Sequence, residues 1–157
     1  MFDPDTIEFL ESGCSLVVGT VAPDGEPFAA RGWGVTVVEP AEDRMRLVLD
    51  AADAVMLDNV TTGGRVAITA GDVHTLHSMQ FKGHVTEMQP ADDADRTCAQ
   101  QFCEAFFSAV VATDGTDRRL LERLVPLDFV ACDVTVEEFY NQTPGPGAGS
   151  AVSQAAT

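Results

Sequence analysis

The sequence predicts an α+β fold, mainly β: a small antiparallel barrel or strongly curled sheet with flanking helices. Three observations carry that prediction. Segments rich in β-branched residues follow one another through short turns, as in CSLVVGTV, APDGEP and FAARGWGV. Strands joined that closely pair antiparallel, because parallel strands need long crossovers. Helical spacing is confined to a few segments, and 157 residues with 45% hydrophobic content suit one domain with a real core.

The elements can be read in order. Asp3-Pro4 is an N-cap followed by Pro at the first helical position, opening a helix to about Glu11 that Gly13 ends. Residues 14–21 form a strand, Asp24-Gly25 tips a turn, and residues 28–40 read as one return strand. In RMRLVLD, Met45, Leu47 and Leu49 alternate with Arg44, Arg46 and Val48, giving one buried face. Ala52, Val55, Met56 and Val60 then fall at helical spacing, closed by Gly63-Gly64.

RVAITAG and the longer 74–88 segment return to strand character, and Gly83 marks a bulge or a close backbone approach. The helix from Pro90 to about Ala112 presents Phe102, Phe106 and Val110 on one face. A short helix ended by Pro126 and a final strand, 127–140, complete the domain. Residues 1–142 are expected to form this domain, and the Pro, Gly and Ala-rich 143–157 a flexible tail.

A net charge of −16 repels nucleic acid and anionic membranes, so neither is an expected partner. No apolar run reaches the roughly 18 residues of a membrane span. The acidic N-terminus lacks a signal peptide's basic region, so a cytoplasmic protein is expected. Cys14, Cys98, Cys103 and Cys132 form no CxxC pair and read as buried, reduced thiols. His74 and His77, three apart on a strand, would face opposite ways, and His84 adds no ligand spacing, so no metal site is expected. A single axial haem ligand is a weaker option than an ordinary histidine. No GxSxG nucleophile or Gly-rich dinucleotide fingerprint occurs.

The segments SLVVGTVAPDGEPFAARGW, MRLVLDAADAVMLDNV, GRVAITAG and SMQFKGHV, in that order, resemble the pyridoxamine 5′-phosphate oxidase-like, FMN-binding split-barrel family. The resemblance spans about Phe9 to Val85, with Phe129 to Val136 also fitting. It implies a split antiparallel β-barrel of about six strands, a homodimer with sites at the subunit interface, and redox chemistry on FMN. The deazaflavin F420 is the second choice, and some relatives handle haem.

Carried over to this chain, the resemblance puts Arg31 near a flavin phosphate or ring and Trp33, by the period-two rule, on the same face. It places Asp50, followed by Ala54-Val55-Met56, where relatives hold the phosphate with a hydroxyl and a basic run. A carboxylate about 4 Å from a phosphate costs roughly 4 kcal/mol at an effective dielectric near 20. Ser78, Gln80 and Lys82 share one strand face, as flavin ring-edge or phosphate partners or as a plain polar surface. Gln142, beside the rigid Thr143–Gly147 exit, is a further candidate to reach a partner's pocket.

Three functions follow, the third being a haem-handling relative that rests only on the histidines and the fold. The first is a flavin- or deazaflavin-dependent oxidoreductase acting on an unidentified small molecule. The second is a cofactor-free split-barrel protein that binds a small ligand after losing the phosphate clamp.

Overall fold

The computed structural model describes residues 2–152. An eight-stranded antiparallel sheet curls around one core, flanked by four α-helices. In chain order these are α1 (Pro4–Glu11), β1 (Ser15–Val21), β2 (Pro27–Arg31), β3 (Gly34–Glu39), β4 (Arg44–Asp50) and α2 (Ala54–Gly63). Then come β5 (Arg65–Gly71), β6 (Ser78–Pro90), α3 (Asp93–Asp114), α4 (Arg118–Glu122), β7 (Phe129–Asn141) and β8 (Ser150–Ala151). The sheet runs β2-β1-β5-β6-β7-β4-β3, with β8 added on β7.

The two ends of that path, β2 and β3, are consecutive in the chain, and this is how the sheet becomes a barrel. The single return strand expected over 28–40 is two strands, broken at Gly32-Trp33. The Gly32 N–H donates to the Leu16 carbonyl of β1, and the next N–H, from Trp33, donates to Val48 of β4. Within two residues the chain leaves one sheet edge and joins the other. A Cβ on Gly32 would sit 2.9 Å from the Leu16 Cβ, so the corner requires glycine.

Met45, Leu47 and Leu49 line the barrel interior with Leu16, Val18, Ile68 and Phe81, as alternation predicts. Val48 is buried as well, on the outer face of the β3–β4 pair, where α3 packs against β3. The α2 face differs from its expected one: Met56, Asn59 and Val60 are buried while Val55 is exposed. The Asn59 amide donates to the Thr20 hydroxyl across the barrel wall at 3.1 Å.

The helix α3 starts three residues later than expected, since Pro90 closes β6 and Asp92 is the N-cap. Asp92 and Asp95 form a reciprocal capping box, each accepting the other's backbone N–H at 2.9 Å. Arg46 then fastens this end of α3 to the sheet, donating to Asp95 and to Asp133 of β7. Gly83 sits at a bulge of β6, where a Cβ would run into the Thr135 carbonyl oxygen.

The boundary expected at 143 falls inside hydrogen-bonded chain. Gly149 and Val152 donate to Asn141 and Phe139, and β8 pairs with β7. The rest of the expected tail, 153–157, lies outside the described residues. Among the described residues, no helix is long and apolar enough to cross a membrane.

Candidate functional site

Two grooves concern the residues singled out from the sequence. The first lies at the β4–α2 junction, where a strand runs into a helix N-terminus and free N–H groups would suit an anion. Here the chain supplies its own anions. The Asp50 Oδ1 accepts the Ala52 N–H at 2.8 Å, and the Asp53 Oδ1 caps α2 by accepting from Met56 at 3.0 Å. The adjoining groove, about 450 Å³, is walled by Ala51, Leu124 and Leu127 and carries the carboxylates of Asp50 and Asp128 with no basic residue in its lining. These residues do not fit the phosphate of FMN: the Ala52 and Met56 N–H groups are already bonded to carboxylates, and the charged side chains around them carry the phosphate's own sign.

The second groove lies on the outer face of β1, β2, β5 and β6. Register places Ala29, Gly19, Ala67 and Lys82 in one cross-strand row. The first three have almost no side chain, so they leave a flat floor. Val21 and Pro27 wall it on one side and Arg65 and Lys82 stand at its edge, around about 560 Å³. That volume is in the range of small-molecule sites, roughly 300–1,000 Å³. Val17 and Val21 are 48% and 55% exposed on this same face.

The neighbouring row is Arg31, Val17, Thr69, Gln80 and Tyr140. Gln80 donates to the Thr69 hydroxyl at 3.0 Å and accepts from Gln142 at 3.4 Å. The Lys82 ammonium lies 4.7 Å from the centre of the Tyr140 ring. The Tyr140 hydroxyl donates to Glu138, and that bond pushes the phenol's pKa above its ordinary value of 10.

The structure therefore brings together some of the expected site residues and separates others. Gln80 and Lys82 share a face as expected, and Gln142 joins them from the end of β7. Ser78 is on that face, but its hydroxyl donates to the Leu76 carbonyl and its N–H to Thr143, so it holds the turn. Trp33 does not share a face with Arg31: the Gly32 corner turns it into the core, 5% exposed, while Arg31 stays outside. The Arg31 guanidinium rests 5.9 Å from the Trp33 ring centre and 5.5 Å from that of Phe106. Asp50 belongs to the other groove.

Arg65, Thr69, Glu138 and Tyr140 escaped the sequence reading. The period-two pattern of RVAITAG does set Arg65, Ala67 and Thr69 on one face, but only pairing with β6 joins them to Lys82. The histidines are not on one strand as expected. His74 and His77 lie in the turn before β6, bonded to Thr113 and Thr143, and His84 pairs with Glu137 at 3.0 Å. No group of three or more His, Cys, Asp or Glu among the described residues could hold a metal. Burial pushes the thiols of Cys14 and Cys132 up to about 12 and raises Cys98 and Cys103, so none is a thiolate nucleophile at neutral pH.

No protein-family model matches the chain, and no curated protein does. Solved structures do. HupZ from Group A Streptococcus superposes with a TM-score of 0.59 at 17% identity, over 95% of this chain and 100% of that one. An F420 reductase gives 0.56 at 18% identity, over 87% and 98%. A pyridoxamine 5′-phosphate oxidase-related, FMN-binding protein from Nostoc punctiforme gives 0.52 at 15%, over 93% and 87%. At these identities the likeness is one of fold, and the fold is the split barrel that the sequence resemblance implied.

Proposed function

We propose that this chain is a split-barrel protein that binds a small, flat, largely apolar molecule over β1, β2, β5 and β6, without holding a phosphate at α2. One observation carries this reading: at the β4–α2 junction the Asp50 and Asp53 carboxylates accept the Ala52 and Met56 N–H groups. The floor of Gly19, Ala29 and Ala67 supports it, because a sheet surface with no side chains beyond Cβ accepts a planar body. A second copy of the chain laid on this face would cover Val17 and Val21 and roof the groove, giving a homodimer that light scattering would detect.

The test compares FMN with riboflavin, which lacks only the phosphate, by flavin fluorescence titration. FMN is expected to bind no more tightly than riboflavin, and Ala67→Phe, which fills the floor, to abolish any binding of either. FMN binding tenfold tighter than riboflavin would sink the reading.

A second reading rests on a different observation: among the described residues, Arg31 and Lys82 have no carboxylate partner within ion-pair distance. On it the chain is a flavin- or deazaflavin-dependent oxidoreductase, in keeping with the FMN-binding protein and F420 reductase that share its fold. The bound cofactor would supply the redox chemistry, while Arg31 and Lys82 met its anionic end and Gln80 and Gln142 its ring edge. Saturable F420 or FMN binding weakened by both Arg31→Ala and Lys82→Met supports this reading, and no binding of either cofactor excludes it.

A further inference from the structure

Resting on the ligand groove proposed above, we infer that its ligand is a planar acid, whose ring lies over Gly19 and Ala67 and whose carboxylate meets the Lys82 ammonium. The groove has one apolar end, Val21 and Pro27, and one cationic end. Strands stand about 4.8 Å apart, so the three-residue floor of Ala29, Gly19 and Ala67 is roughly 10 Å wide. That suits a fused aromatic ring better than an aliphatic chain. The row reaches Lys82, the only lysine in a chain of net charge −16, and continues to Glu138 on β7.

In so acidic a chain a lysine is expected to be paired, and among the described residues this one has no carboxylate within ion-pair distance. Its cross-strand neighbour Glu138 accepts the Tyr140 hydroxyl instead. The ammonium is held over the Tyr140 ring at 4.7 Å, a contact that fixes its position without using its N–H donors. Arg65, the other cation of the groove, is paired with Glu137 at 3.3 Å. Lys82 is thus the group at the groove whose charge is open to a ligand.

The experiment measures binding of 2-naphthoate and of its neutral isostere 2-naphthamide to the full chain by calorimetry. In the wild type the acid is expected to bind about tenfold more tightly, the effect of one charge-assisted hydrogen bond. Lys82→Met should abolish that preference by weakening the acid more than the amide, and Lys82→Arg should retain it. Circular dichroism of each variant verifies that the fold is intact. Equal affinities in the wild type, or a preference that survives Lys82→Met, would overturn the charge assignment alone. Failure of both compounds to bind would overturn the groove reading along with it.

Discussion

Arg46 holds Asp95 in a two-pronged ion pair, Nε to Oδ1 at 2.6 Å and Nη2 to Oδ2 at 2.9 Å, between strand β4 and the first turn of α3. A third bond runs from Nη1 to Asp133 of β7 at 2.7 Å. The arrangement ties the longest helix to the sheet, and both partners are largely out of water, the side chains being 16% and 5% exposed. Replacing Arg46 with Met leaves the buried Asp95 carboxylate without a cation and Asp133 with only Arg44, 3.4 Å away. We expect a loss of about 3 kcal/mol or more, measured by urea unfolding. A loss under about 1 kcal/mol would show that the pair is no stronger than a surface one.

The same pair makes stability depend on acid. Hydrogen bonds from Arg46 hold the Asp95 carboxyl below its ordinary value of 3.8, against the opposing effect of burial. A carboxyl whose pKa is lowered by folding binds protons more readily when unfolded. Its contribution is therefore complete above about pH 4 and lost as pH falls through the lowered value. Urea midpoints taken downward from pH 6 should fall more steeply for the wild type than for Asp95→Asn. Parallel curves would refute the assignment.

At the β4–α2 junction, Asp53 acts as a helix cap and not only as a negative charge. Asp53→Ala should cost about 1 kcal/mol, while Asp53→Ser, which can still accept the Met56 N–H, should cost a few tenths. Thermal melts of the two variants decide this. Equal losses would mean that the cap bond contributes nothing.

Gly83 has no room for a side chain, since a Cβ would fall on the Thr135 carbonyl oxygen across the β6–β7 pair. Gly83→Ala should cost about 3 kcal/mol or more, because backbone on both strands must move. Gly25, whose Cβ would meet nothing, is the control for a local effect: its positive φ of 92° limits the cost of Gly25→Ala to about 1 kcal/mol. Comparable losses for the two variants would refute the close approach.

Tyr140 is the only tyrosine, so its ionisation can be followed by ultraviolet absorbance without overlap. The hydrogen bond to Glu138 raises its pKa above 10, and Glu138→Gln should bring the titration midpoint down towards that value. An unchanged midpoint would mean that the bond does not form in solution.

Much of the candidate site could be read from neighbours in sequence. Alternation in SMQFKG set Gln80 and Lys82 on one face, and the same alternation in β4 identified Met45, Leu47 and Leu49 as core. It failed at Arg31 and Trp33, where a period-two argument assumes an unbroken strand and Gly32 bends it through a corner. It failed again at Ser78, whose polar face was correct but whose hydroxyl is bound by its own turn. The fastening of α3 joins residues 49 apart and had no local signature.

By itself, then, the sequence determined what acts within a few residues: the cap at Asp3, the turn at Gly25, the periodicity of the strands, and a strand-to-helix junction with Asp50 in place of a cation. Only the tertiary structure decided which faces meet. It set Ala29, Gly19, Ala67 and Lys82 in one row, turned Trp33 inward, and placed the Lys82 ammonium over the Tyr140 ring. The reason is physical. Backbone propensity and capping are short-range, whereas a groove is made where distant strands pair, and pairing register is selected by the whole core at once.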